Sequence, residues 1–260
     1  MKLKRRGLHN GPENSPSPEC LRRYYEQESR TEIDKRISSA MMGEVSTPLD
    51  YYHRLRYLVT SGLIHRFQLV PPAKGVVIDI GVGQGLLLLA ASENNKSHLV
   101  GIDISLFRLK NLHSSRVDEL GQHGAIQSIL ADAQRLPLKN RVADLTLCCE
   151  VLEHVPYPSR VLIEIDRVSK GGAVVSVPNR LRKMILERLG IAAEDTDPFS
   201  EPGKGHIHEG WTLNELRSEH LAAGLRPERI VGVCLLSFST YLAGLRPPMG
   251  CGDLGASLAL

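Results

Sequence analysis

Through the middle of the chain, short runs of β-branched and aliphatic residues alternate with longer stretches whose apolar positions recur every three or four residues. Residues 76–80, 99–104, 125–130, 143–149, 173–177 and 229–236 fit strands. A stretch from the Gly-rich turn at 81–85 to about residue 92, then 106–120, 157–169 and 212–223, fit amphipathic helices. The pairs Gly171-Gly172 and Pro178-Asn179 are expected to bracket the fifth strand as turns. Thr212 with Glu215 three residues on has the spacing of a capping box, and Gly224 follows as a stop. Strand and helix in alternation predict a parallel sheet covered by helices, an α/β architecture.

The ends of the chain differ from this middle. Residues 1–20 are rich in Pro, Ser, Asn and basic side chains without apolar periodicity and are expected to form a flexible tail. Residues 21–72 form a helical preface in which Tyr51, Tyr52, Leu55, Leu58, Val59 and Leu63 recur at helical spacing behind Ser46-Thr47-Pro48, and Pro71-Pro72 ends it. The main domain is expected over 73–240 with an insertion at 180–211, leaving 241–260 as a C-terminal segment.

Composition narrows the class. The chain carries 32 Lys and Arg against 29 Asp and Glu, and the whole +3 excess lies in residues 1–30, so the remainder is neutral. A neutral body does not fit extensive nucleic-acid binding, which depends on clustered cations. No apolar run reaches the length of a membrane span, and the basic start lacks the apolar region of a secretory signal. A cytoplasmic protein is expected. The five cysteines are odd in number and show no C-x-x-C pair, so neither a disulfide framework nor a zinc ribbon is expected.

Candidate chemistry gathers where strands end. Asp79-Ile80-Gly81-Val82-Gly83-Gln84-Gly85 stands where a buried strand passes into a helix, a place where glycines allow a tight turn and close approach of a ligand. Leu86 stands where the dinucleotide fingerprint needs its last Gly, which disfavours a pyrophosphate cofactor. Asp103 ends the second strand, where a carboxylate can accept both hydroxyls of a ribose. Asp132-Ala133 ends the third and Glu150 the fourth. Either Asp could instead be a helix cap, but its position relative to the Gly loop favours the binding role. All four features fall at the carboxyl edge of the expected sheet, which is the binding crevice of open parallel sheets.

The segments VIDIGVGQG (77–85), VGIDIS (100–105), LADA (130–133), ADLTLCCEVLEHV, SKGGAVVSVPN and GWTLNELRSEHLAAGLRPERIV together resemble the class I S-adenosylmethionine-dependent methyltransferases. Within them, the chain is most similar to the small-molecule branch that includes the ubiquinone and menaquinone biosynthesis methyltransferases. The fold this implies is a Rossmann-like, doubly wound, mostly parallel sheet with a helical N-terminal extension. Many members add a seventh, antiparallel strand near the C-terminus; residues 250–260 are Gly-rich without β-branched runs, which leaves that strand in doubt here.

By resemblance, Gly81, Gly83 and Gly85 pass beneath the methionine part of the cofactor and Asp79 supports the loop. Asp103, with Ile104 beside it, holds the ribose hydroxyls. Asp132 and the Ala133 N–H bind the adenine, and Glu150 borders the sulfonium. Glu153 and His154 face a small-molecule methyl acceptor, with His154 the candidate base when the acceptor is an oxygen, because imidazole exchanges protons near neutral pH. A carbon acceptor can be methylated without a base. Glu150, Glu153 and His154 have metal-ligand chemistry, but no further ligand stands at a recognised spacing and no metal is expected.

Two other groups are candidates of lower rank. His206 and His208 alternate in an extended segment after the Pro/Gly-rich stretch 197–205, which suits either a pocket wall or a pair of solvated loop histidines. Arg54 and Arg56 on the preface could reach the cofactor carboxylate, whereas Arg180, Arg182, Lys183 and Arg188 fit a solvated helix face. The alternatives to a small-molecule enzyme are an RNA or protein methyltransferase and a non-catalytic cofactor-binding subunit. The first is disfavoured by the neutral body and by Cys149-Glu150-Val151-Leu152 standing where amino-nitrogen methylating enzymes carry an Asn/Asp-Pro-Pro-Tyr run.

Overall fold

The computed structural model describes residues 17–28, 48–66, 69, 71–72, 74–92, 97–115, 126–180, 188, 207–233 and 240–246. The expectations placed on residues 1–16, on most of the insertion including His206, Arg182 and Lys183, and on 247–260 lie outside them. Within them stand α1 (Pro18–Glu28), α2 (Pro48–Arg66), β1 (Val76–Ile80), α3 (Leu86–Ser92), β2 (His98–Asp103), α4 (Leu106–Ser115), β3 (Ile126–Leu130), β4 (Ala143–Cys149), a 3-10 turn (Leu152–His154), α5 (Pro158–Val168), β5 (Ser169–Pro178), α6 (Leu213–Ala222), β6 (Arg226–Val233) and β7 (Thr240–Arg246).

The seven strands form one sheet in the order β3-β2-β1-β4-β5-β7-β6. Strands β1 to β5 pair in parallel, and β7 runs antiparallel to both β5 and β6. The seventh strand that the sequence left in doubt is therefore present. It lies at Thr240–Arg246, ahead of the Gly-rich residues 250–260, and it begins where the main domain was expected to end. Its TYLAGLR sequence has one β-branched residue, so local propensity did not mark it. Pairing on both sides, with β5 and with β6, holds it in the sheet.

Two strand boundaries also move. Gly171 and Gly172 do not turn the chain; they lie inside β5. A Cβ on Gly171 would come within 2.0 Å of the Asp144 carbonyl oxygen, beside the bulge between Ala143 and Leu145, so glycine here permits close approach of two backbones. Strand β6 starts at Arg226 rather than Arg229 and includes Pro227. That proline is tolerated because β6 is an edge strand and its pairing shifts register between Pro227 and Arg229.

Burial on both faces explains the near-continuous apolar strands. Ile78, Ile80, Ile102 and Cys148 join Val161, Leu162 and Ile165 of α5 and Leu216 of α6 in one cluster. Val77, Leu99, Leu145, Leu147 and Val174 join Leu63 and Ile64 of α2, Leu88 of α3 and Leu112 of α4 in the other. Pro158 opens α5 at its first turn, and Val161, Leu162, Ile165 and Val168 form its buried stripe. On α6 the expected capping box is formed, the Glu215 N–H donating to Thr212 Oγ1 and the Thr212 N–H to Glu215 Oε2. No helix among the described residues is long and apolar enough to cross a membrane.

Candidate cofactor and acceptor site

Strand order reverses between β1 and β4, and the crevice outside their carboxyl ends is where open α/β sheets bind ligands. Residues Ile80 and Cys148 are in register there, as are Ile80 with Ile102 and Asp103 with Leu130. Parallel pairing therefore carries Asp79 and the Gly loop, Asp103 with Ile104, Asp132 with Ala133, and Glu150 to one edge. The next turn adds Glu153 and His154.

Within the loop the three glycines do different work. All three have positive φ, at 74° for Gly81, 50° for Gly83 and 73° for Gly85. A Cβ on Gly81 would meet Val151 Cγ2 at 2.4 Å and one on Gly85 would meet Leu112 Cδ1 at 2.5 Å, so both allow the loop to pack. Among the described residues a Cβ on Gly83 would touch only the Gly81 carbonyl oxygen, at 4.0 Å. The space over Gly83 is clear, and this is the stretch of loop against which a ligand can lie.

Asp103 ties the loop to the second strand. Its Oδ2 accepts from the Gly83 N–H at 3.1 Å and its Oδ1 from the Ser105 N–H at 2.9 Å, and a carboxylate has further lone-pair capacity beyond its backbone donors. Burial raises its pKa, offset in part by Arg108 and by these backbone donors. Asp79 beneath it is 4% exposed, and burial first, then the nearby Asp103 charge, pushes its pKa up to about 8.

Between the usual carboxylate range and pH 8 the folded chain holds a proton on Asp79 that the unfolded chain has lost, so its contribution to stability is full at low pH and is lost as pH rises through 8. Urea unfolding of the wild type from pH 5.5 to 9 should show stability falling toward alkaline pH, and Asp79→Asn should flatten that fall. Parallel pH profiles for the two proteins would refute it.

At the third strand the Asp132 carboxylate is held by Gln134, whose N–H donates to Oδ1 at 2.9 Å and whose Nε2 lies 3.2 Å from both oxygens. The Gln134 Oε1 in turn accepts the Tyr157 N–H at 3.2 Å. One amide thus joins the third-strand edge to the turn after β4. The same connection is fixed from below by Arg167, which pairs with Glu164 and donates to the carbonyls of Leu136 and Leu138.

Glu150 has φ 56°, a left-handed conformation uncommon for a side-chain-bearing residue. Its Oε1 accepts from the Ser176 hydroxyl at 2.7 Å and its N–H donates to the Ser176 carbonyl. In the following 3-10 turn His154 Nε2 lies 3.9 Å from Glu153 Oε1, an ion-pair rather than a hydrogen-bond distance, with Glu153 1% exposed and His154 23%. His208 closes this wall, its Nε2–H reaching the Val155 carbonyl at 3.0 Å while its own N–H and that of Ile207 donate to the Glu153 carbonyl. Among the described residues no three His, Cys, Asp or Glu side chains gather as a metal site.

Ser176, Gln134 and Arg167 were not among the sequence candidates. A lone hydroxyl in the apolar run VVSVP at a strand end was the available signal for Ser176. The partners of Gln134 and Arg167 lie up to 31 positions away and left no local mark.

Comparison with known proteins fits this geometry. A methyltransferase domain family matches residues 78–177, which run from β1 to β5 and hold the edge described above. The ubiquinone biosynthesis O-methyltransferase of Nitrosomonas europaea is 32% identical over 161 residues, 60% of this chain and 66% of that protein. Its counterpart from Pseudomonas aeruginosa is 31% identical over 164 residues, 60% of this chain and 67% of that protein. The chain belongs to the S-adenosylmethionine-dependent methyltransferases.

It spans about two thirds of the length of these relatives. Among solved structures, the magnesium protoporphyrin IX methyltransferase of Synechocystis PCC 6803 with bound SAH aligns with TM-score 0.64 and 15% identity, covering 88% of this chain and all of that one, which shows the shared fold. The residues present fit the methyltransferase cofactor. Among the described residues clear space lies over Gly83, and Asp103 has acceptor capacity for hydroxyls.

Proposed function

We propose that the protein transfers a methyl group from S-adenosylmethionine to an oxygen or carbon of a small molecule, a quinone-like, lipid or natural-product precursor. The observation that carries this reading is the meeting, at one reversal point of the sheet, of a ligand-clear Gly loop, acceptor carboxylates at 103 and 132, and the His154–Glu153 pair. The relatives from Nitrosomonas and Pseudomonas are named as ubiquinone biosynthesis O-methyltransferases, which favours an oxygen acceptor.

When bound, the cofactor supplies a sulfonium methyl that is already activated. The chain's task is then to hold the partners in line and to exclude water. In this reading Asp103 accepts the ribose hydroxyls, Asp132 and the Ala133 N–H take the adenine, and Glu150, held by Ser176, borders the sulfonium. His154 takes the hydroxyl proton of the acceptor, and the Glu153 carboxylate steadies the imidazolium that results.

Methyl-labelled cofactor incubated with the protein and a metabolite extract, alongside RNA and total protein, tests the acceptor class. Label is expected in the small-molecule fraction. Label confined to RNA or protein would overturn the reading, and cofactor binding without transfer to any fraction would favour a regulatory subunit.

A further inference from the structure

The first helix carries a side chain that reaches the site's own hydrogen-bond network. Glu26, near the end of α1, accepts the Leu106 N–H at 2.6 Å through Oε1 and the Phe107 N–H at 3.2 Å through Oε2, across 80 positions of sequence. These are the first two donors of α4. The next is already met, because Ser105 Oγ accepts the Arg108 N–H at 3.3 Å, in the manner of an N-cap. A carboxylate is favoured at a helix N-terminus, and a charged acceptor strengthens each bond.

The turn that Glu26 secures also sets Asp103. Ser105 donates to Asp103 Oδ1 and Gly83 to Oδ2, so the bonds run without a break from α1 through the α4 N-terminus to the glycine facing clear space. Leu21 of α1 is buried, and the Glu26 contact joins this helix to the N-terminus of α4.

We propose that Glu26 is a positioning residue for the cofactor: from α1 it fixes the turn at residues 103–106 and thereby the Asp103 carboxylate. The inference rests on the reading that Asp103 accepts the cofactor's ribose. Because coupling between two sites is reciprocal, a bound cofactor must also hold α1 more firmly in place. A helix without resemblance to the rest of the family pattern thus becomes part of the cofactor site.

The test is calorimetric binding of S-adenosylhomocysteine to the full-length wild type, Glu26→Ala, Glu26→Gln and Asp103→Ala, with amide hydrogen exchange of residues 18–28 with and without the ligand. Glu26→Ala is expected to weaken binding about tenfold, with Glu26→Gln, which keeps one acceptor oxygen, between it and wild type. Ligand should slow exchange of α1 in the wild type and leave it unchanged in Glu26→Ala. A purely structural cap would lower the thermal midpoint of the free protein while leaving affinity and ligand-induced protection as in wild type, and that result overturns the proposal. If Asp103→Ala itself binds normally, the ribose reading fails; if Asp103→Ala weakens binding and Glu26→Ala does not, only the Glu26 inference fails.

Discussion

Asp103→Ala is expected to weaken S-adenosylmethionine binding at least about a hundredfold. The carboxylate is 5% exposed and already accepts the Gly83 and Ser105 N–H groups, so its orientation is fixed before a ligand arrives. A ribose diol would meet two acceptors that need no reordering. Hydrogen bonds to a charged group contribute about 1.5–3 kcal/mol each, and losing two of them amounts to at least about 3 kcal/mol, which is roughly a hundredfold in affinity. Alanine also releases the Gly83 and Ser105 donors, which adds loop disorder to the loss. Asp103→Asn separates the two effects, since it keeps the volume and one acceptor oxygen. Calorimetry should place it between alanine and wild type, with circular dichroism unchanged in both variants. Wild-type affinity in Asp103→Ala would remove the ribose assignment.

Much of this architecture was legible because parallel strands buried on both faces write themselves as apolar runs, and because the Gly loop, Asp103, Asp132 and Glu150 all fall where such runs stop. The capping box at Thr212 was legible for the same local reason. Elements whose cause lies elsewhere in the chain were not. Strand β7 depends on β5 and β6 on either side of it, and Gly171 looks like a turn until the Asp144 backbone is placed against it. Glu150 shows the limit most clearly. Its identity is visible in the sequence, but its left-handed backbone and its bond to Ser176, 26 positions on, are products of the β4–β5 pairing. Glu26 is the same case at longer range, an ordinary helix glutamate until the fold brings the α4 N-terminus to it.

The acceptor side is tested by His154→Gln, which is expected to lower turnover of a hydroxyl acceptor by about two to four orders of magnitude while leaving cofactor affinity within about twofold of wild type. Glutamine keeps hydrogen-bonding capacity but cannot take a proton, so a role limited to holding the acceptor would survive the change. Glu153→Gln should cost less, because at 3.9 Å the carboxylate acts on the imidazole through charge rather than through a direct bond. Its effect should fall on turnover rather than on the Michaelis constant, since the side chain is 1% exposed and has no surface to offer an acceptor. Single-turnover rates with the labelled acceptor, measured across pH, check both. In the wild type the rate should rise as His154 loses its proton, and that limb should vanish in His154→Gln. Retention of both the rate and the limb would show that the acceptor is methylated without this base, as a carbon nucleophile can be, and would move the catalytic burden from proton transfer to alignment against the sulfonium.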